Sequence, residues 1–346
     1  MKVFWKLLIP VLLTVGLLSL ASCNRDEIDE SIPHGIKSIH GKADFMALLT
    51  DGSVMFFKIT SPTACEVVAG PNGIMGNVKV PSVVAYEGIR YQVTRISNGA
   101  FNGCFGLVTV ELPTSIKNIG ERAFSGCERL KSVNLPAGLT KVDYRAFYGC
   151  ADLQEISLPS SVREIENEAF AGCSKLNSIV IPDSLVRMGS RCFADCHALT
   201  RINFPLTLVE IGSEAFSNCF SISDPILPDG LKHIEPWLFK DCTSVKELRL
   251  PDSVTYVGNY TCKGCSSLTY VELPKSLLTV GRWSFTGCDN IKIVVARAEE
   301  PPRIVSEAFT CYESAVLMVP IGSVDAYKNA PYWSQFKTIR EYHENN

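Results

Sequence analysis

Residues 119–141 read IGERAFSGCERLKSVNLPAGLTK, and residues 142–164 read VDYRAFYGCADLQEISLPSSVRE. Laid over one another, they keep Ala123-Phe124 on Ala146-Phe147, Cys127 on Cys150, Leu130 on Leu153 and Leu135-Pro136 on Leu158-Pro159, a period of 23 residues. Outward from this pair the same beat carries nine cysteines: Cys104, Cys127, Cys150, Cys173, Cys196, Cys219, Cys242, Cys265 and Cys288. Eight prolines keep it too, from Pro113 through Pro136, Pro159, Pro182, Pro205, Pro228 and Pro251 to Pro274. A fixed period of this length means that one supersecondary unit is copied and stacked, so the chain is a repeat solenoid whose length counts turns rather than domains.

Within the unit, Leu130, Val133 and Leu135 have strand-like spacing, repeated as Leu153, Ile156, Leu158 and as Leu268, Val271, Leu273. Each repeat is therefore expected to give one short strand to a parallel sheet. The proline after it lacks an N–H and ends every strand at the same place. On the opposite side, Phe124 and Cys127 lie three residues apart and share one face of a short helical turn. Phe101, Phe124, Phe147, Phe170, Phe193, Phe216, Phe239 and Phe285 should then stack along the core. One unit cannot bury its apolar side alone, whereas stacking buries a ring and aliphatic side chains in each turn. Two departures stand out: Pro225 occupies the central strand slot and should disturb the 217–230 repeat, and Cys262 replaces the phenylalanine of its repeat.

This pattern, with A-F-x-x-C and L-P as its marks, resembles the BspA-type (Treponema pallidum type) leucine-rich repeat. The resemblance implies a leucine-rich repeat solenoid, with a parallel β-sheet on one face and short helical turns on the other. It extends to the ends of the array. Val78, Val80-Pro81, Tyr86, Gly88, Tyr91 and Ile96 look like that family's opening hairpin, and Ala308-Phe309, Val319-Pro320, Trp333 and Phe336 look like its closing unit. The organisation expected is a signal peptide over 1–22, an acidic tether over 23–43, a β-rich cap over 44–95, repeats over 96–303 and a mixed C-terminal cap over 304–346. A short helix is expected from Ser323 to Asn329, with Ser323 as its N-cap.

At the start of the chain, Lys2 and Lys6 precede an apolar run from Leu7 to Leu20, too short for a lasting transmembrane helix and shaped as an export signal. The run ends in Leu20-Ala21-Ser22-Cys23, which resembles the lipobox of bacterial lipoproteins and marks Cys23 for lipidation. The acidic stretch Asp26, Glu27, Asp29, Glu30 resembles a surface-export signal of such lipoproteins. The expected location is the outer membrane, lipid-anchored through Cys23 and exposed at the cell surface. Net charge is −3 and lysine and arginine form no block, so nucleic acid is excluded as a partner.

An exported chain with 14 cysteines invites a disulfide framework. Lipidation of Cys23 would leave an odd number. Equivalent cysteines on successive turns also stand roughly 5 Å apart with parallel side chains, a poor geometry for a bridge. The ladder reads as buried thiols that pack as small apolar groups. Cys262-Lys263-Gly264-Cys265 is a C-x-x-C whose two cysteines fall on repeat slots, and His34, His40, His233 and His343 are scattered without a facing pair. No cofactor, metal site or catalytic residue is expected, and the protein is read as non-enzymatic.

Binding is expected on the outward face of the sheet, at the two slots flanking each central apolar residue. The row includes Glu155, Arg201, Asn203, Glu247, Arg249, Tyr270 and Glu272, with Tyr270 and Arg249 as anchors because tyrosine and arginine dominate interface energies. The expected function is that of a monomeric surface lipoprotein that adheres to or binds an extracellular or host protein. The alternative is a glycan-binding or nutrient-uptake accessory protein, which would need an aromatic cluster drawn from Tyr86, Tyr91, Trp283, Tyr312 or Trp333.

Overall fold

The computed structural model describes residues 33–37, 42–71 and 73–343. The export signal, Cys23, most of the acidic tether and His40 lie outside the described residues. Among the described residues no helix is long and apolar enough to cross a membrane.

The chain opens with a largely antiparallel sheet built from Gly35–Lys37, Phe45–Leu48, Val54–Ser61, Ala64–Val68, Val83–Tyr86 and Ile89–Ile96. Its last hairpin turns at Glu87-Gly88, both at positive φ, which is the two-residue geometry that matches strand twist. Phe45 anchors this cap, stacked between Phe57 and Tyr86 at 5.3 and 4.7 Å. The cap passes its order to the repeats through two parallel pairings, Arg95 opposite Asn118 and Val78 opposite Val110.

From there two ladders run along the solenoid. The first holds the expected strands: Leu107–Glu111, Ser132–Val133, Glu155–Ser157, Ser178–Val180, Glu247–Arg249, Tyr270–Leu273, Ile293–Ala296, Val316–Val319 and Thr338–Glu341. Every parallel pairing between repeats in this ladder as far as Ile293 is offset by 23 residues, as in Glu155 opposite Ser178 and Glu247 opposite Tyr270 opposite Ile293. The second ladder was not expected. It is made of two-residue strands such as Lys141–Val142, Glu164–Ile165, Tyr256–Val257 and Thr279–Val280. Two residues are too few for period-2 alternation to show in a sequence.

The A-F-x-G-C side consists of turns in which alternate residues bond in different directions. The N–H groups of Ala123, Ser125 and Cys127 donate to carbonyls three residues back, at 3.1–3.2 Å. Those of Arg122, Phe124 and Gly126 donate to the next repeat, at Tyr144, Ala146 and Tyr148, at 2.7–2.9 Å. A continuous helix would spend all its donors internally, whereas this alternation ties each turn to its neighbour and leaves few backbone groups unpaired. It requires left-handed backbone at both ends of the block: Arg122 has φ 54° and Gly126 φ 71°. Where the second glycine is absent, Asp195, Asn218 and Asp241 replace it, residue types that tolerate this region.

Inside, Phe101, Phe124, Phe147, Phe170, Phe193, Phe216 and Phe239 form a stack with successive centroids 5.0–5.8 Å apart, all fully or almost fully buried. Cys262 interrupts it, and Phe285 restarts it against Phe309 at 4.8 Å. The cysteines line the neighbouring column. Each thiol from Cys127 to Cys288 along the ladder donates to the carbonyl 26 residues earlier, for example Cys150 Sγ to Phe124 O at 3.2 Å. These thiols are buried and free.

Residues 223–227 form no strand, as Pro225 leads one to expect. The break is wider than that one proline. Residues 201–204 are also unpaired as strand, and the second ladder stops between Glu210–Ile211 and His233–Ile234. Phe204, in the slot that Leu158 fills two repeats earlier, packs edge-on against Phe216 at 5.7 Å instead. Only the turn side stays continuous here, through Glu214, Phe216 and Asn218 donating to Pro236, Leu238 and Lys240.

The C-terminal cap has the helix Val324–Asn329, a short 3-10 turn Trp333–Gln335 and the strand Thr338–Glu341, which extends the first ladder. Ser323 stands at the N-cap, yet its hydroxyl makes no capping bond; its carbonyl accepts from Tyr327 N–H at 3.1 Å. The cap is fastened by buried aromatics, Trp333 Nε1 donating to Pro302 O at 2.6 Å and Tyr327 OH to Ala298 O at 2.8 Å.

Candidate binding surfaces

In-register stacking places residue i beside residue i+23 at strand separation, so a side chain's neighbour on the sheet face is set by counting. Arg249 thereby stands opposite Glu272, and Glu247 opposite Tyr270. These four side chains close into a network. Arg249 Nη1 lies 2.6 Å from Glu272 Oε2 and donates to Tyr270 OH at 3.2 Å, while Nη2 lies 3.0 Å from Glu247 Oε2. The guanidinium also covers the Tyr270 ring, 4.3 Å from its centroid, and Tyr270 OH donates to Glu272 Oε2 at 2.9 Å. Burial, and then the hydrogen bond to Glu272, push the Tyr270 phenol up from its ordinary value. Arg297 reaches Asp252 at 3.0 Å and Glu272 at 3.8 Å, so Glu272 is the hub.

The expected residues are thus brought together only in part. Glu247, Arg249, Tyr270 and Glu272 form one cluster. Glu155 is on the exposed face of an earlier strand, and Arg201 and Asn203 lie in the stretch where the sheet is broken, so these three stand apart from it.

Beyond Tyr270 the face becomes apolar. Ile293 and Val316 continue the Tyr270 row, and Val295 and Met318 continue the Glu272 row, all fully or partly exposed. Val316 and Met318 fall on the 23-residue count and so carry a signal in the sequence, but they lie inside the segment expected to be a cap. The result is an apolar centre bordered on one side by a charged network, the anatomy of a protein interface.

The aromatic candidates divide sharply. Tyr91, Tyr312 and Trp333 are buried in the caps, and Tyr86 is half-buried against Phe45. Trp283 alone belongs to an outward cluster, together with Trp237 and Tyr260, two residues that no motif marks. The three occupy the left-handed slot of successive repeats on the turn side. Trp237 and Tyr260 stack at 5.6 Å, and Tyr260 and Trp283 at 5.2 Å.

A void beside Phe204 and Phe239, where the sheet is broken, is about 10 Å³, room for about one water. Among the described residues no group of three or more His, Cys, Asp or Glu side chains is placed to hold a metal ion.

A stack of in-register 23-residue units, with a parallel sheet on one side and dissimilar caps at its ends, defines a leucine-rich repeat solenoid. The chain belongs to the BspA type leucine-rich repeat family: residues 94–205 and 163–292 match that repeat region, in six copies. A leucine-rich repeat protein from Bacteroides ovatus is 25% identical, with a TM-score of 0.72 over 83% of this chain and 75% of that one. A leucine rich cell surface protein from Faecalibacterium prausnitzii is 20% identical, with a TM-score of 0.50 over 86% and 95% of the two chains. A T. pallidum leucine rich repeat protein is 31% identical, with a TM-score of 0.43 over 62% of this chain and 87% of that one. Among curated proteins no relative matches this chain.

Proposed function

We propose that this protein is a cell-surface lipoprotein that binds a partner protein, without catalysis, on the C-terminal part of its sheet face. The observation that carries the reading is the apolar centre of Tyr270, Ile293, Val295, Val316 and Met318 beside the Arg249–Glu272–Arg297 network. Aromatic, aliphatic and arginine side chains on a rigid sheet lose little conformational freedom on binding, and Arg249 is already held in place. Membership of the BspA type family favours a binding module. The apolar run Leu7 to Leu20 followed by Cys23 and an acidic tether supports anchoring and display.

The binding site is tested by immobilising purified host extracellular proteins and measuring the full chain against them. Ile293→Asp with Val316→Asp, placing charge in the apolar centre, should weaken any saturable binding by about ten-fold or more, while Glu155→Ala leaves it unchanged. Equal binding by the double variant would move the site off this face. Anchoring is tested separately: Cys23→Ala should release the protein from the membrane fraction, and a protein that stays there without Cys23 is held some other way.

A further inference from the structure

The slot at the start of each A-F-x-G-C block is left-handed in successive repeats, at Arg122, Arg145, Glu168, Arg191, Glu214, Trp237, Tyr260 and Trp283. From Arg145 to Glu214 its side chains satisfy one another. Arg145 pairs with Glu168 and Arg191 with Glu214, each at 2.7 Å. In the last three of these repeats the slot holds large aromatics, whose stacking leaves them unfinished. Trp237 and Tyr260 are parallel within 4° but their centroids are 5.6 Å apart, a separation that demands a sideways slip, so part of each ring remains uncovered. Trp283 tilts 34° from Tyr260 and opens a wedge between them. Trp237 is 37% exposed.

Two cations accompany this row. Lys263 Nζ lies 5.6 Å from the Tyr260 centroid, and Arg282 directly precedes Trp283. Neither forms an ion pair among the described residues, unlike Arg145 and Arg191. Asn259 fixes the backbone between them, its Oδ1 accepting the Arg282 N–H at 2.8 Å.

We propose that Trp237, Tyr260 and Trp283, with Lys263 and Arg282, form a second binding site on the turn side that takes a sialylated glycan. Aromatic steps of 5.2–5.6 Å from repeat to repeat offer successive apolar patches to the C–H faces of successive sugar rings. The cations supply the counter-charge for an isolated carboxylate. A phosphate backbone fits worse. Its charge density needs many cations to release counterions, and this row supplies two, Lys263 and Arg282, while the neighbouring Glu214 and Asp241 are already paired with Arg191 and Lys240. The site is separate from the sheet face, so its failure leaves the protein-binding reading untouched.

The test is calorimetric titration of the full chain with α2,3-sialyllactose, with lactose as the uncharged comparator and single-stranded oligothymidylate as a competitor class. The wild type should bind sialyllactose about ten-fold more tightly than lactose. Trp237→Ala with Trp283→Ala should lose about ten-fold or more of that affinity, and Lys263→Ala with Arg282→Ala should erase the preference for the charged sugar. Thermal unfolding of each variant checks folding, and Trp283→Gln alone, at a partly exposed position, provides a milder second variant. No binding of either sugar, equal binding of both, affinity untouched by the tryptophan variants, or tighter binding of the oligonucleotide would each overturn the proposal.

Discussion

Cys150 shows what a repeat cysteine does at the level of one side chain. Its thiol is buried and donates to Phe124 O, a carbonyl that already accepts Cys127 N–H. Alanine would leave that carbonyl with one partner and a small void, so Cys150→Ala should cost about 1–2 kcal/mol in denaturant unfolding. A cost near zero would mean that the sulfur column contributes only bulk that its neighbours can replace. The glycine after the phenylalanine has a different sensitivity. Gly149 sits at φ 69° with open room for a Cβ, nothing closer than 3.9 Å, so Gly149→Ala should cost about 1 kcal/mol through backbone strain alone. Gly149→Asn should cost less, which stability measurements on the pair would show. Both slots are legible in the 23-residue frame: the cysteine recurs from Cys104 to Cys288, and the glycine gives way only to Asp195, Asn218 and Asp241. The carbonyl that each thiol meets is not legible there, because that partner lies 26 residues away across a turn boundary.

At the scale of elements, the widest interruption is the one around Pro225, where the first ladder has no strand between Val180 and Glu247. The strand expected there lacks one donor, and both ladders lose pairing across the same repeat while the turn side holds. Replacing the proline restores an N–H and allows the central slot to resemble that of its neighbours. Pro225→Val is therefore expected to slow hydrogen exchange in residues 223–227 and in 201–204. Exchange as fast as in the wild type would assign the break to Phe204 and its edge-on packing rather than to the proline. The sequence indicated the proline, but not that the disturbance would reach the second ladder, since that ladder has strands of only two residues. The charged cluster follows the same rule. Arg249 and Tyr270 are visible in the sequence as exposed slots, yet their mutual engagement follows from side-chain reach between adjacent strands.

For the whole molecule, burial of a column of thiols has a consequence for pH. Burial pushes Cys127 and Cys173 up to about 12, and pushes Cys150 and Cys196 well above the ordinary thiol value. In the unfolded chain these thiols would ionise near about 8.5. The folded state thus binds more protons than the unfolded state between the two values. The stabilisation is complete below the unfolded pKa and is lost as pH rises toward the folded one, by about 1.4 kcal/mol per pH unit for each such thiol. Denaturant midpoints should fall steeply between about pH 8 and about pH 11. A midpoint that does not change over that range would show that the thiols are not held neutral by the fold. Closure of the array is the other property of the whole. Trp333 is fully buried and hydrogen-bonded to Pro302, so Trp333→Ala should cost about 3–5 kcal/mol and loosen the last repeats first, as exchange would report.

The sequence by itself determined the period, the stacking register, the residues that point inward and the side of the sheet that faces out. All of these follow from local patterning repeated every 23 residues, and in a solenoid each unit touches only its neighbours. The tertiary structure alone decided how those neighbours engage: the Arg249–Glu272–Arg297 network, the continuation of the sheet through Val316 and Met318 into the segment expected as a cap, and the ring stacking of the Trp237–Tyr260–Trp283 row. The period fixes which residues stand side by side, but the tilt of a ring, the reach of a guanidinium and the local loss of pairing depend on packing between turns, which no single repeat encodes.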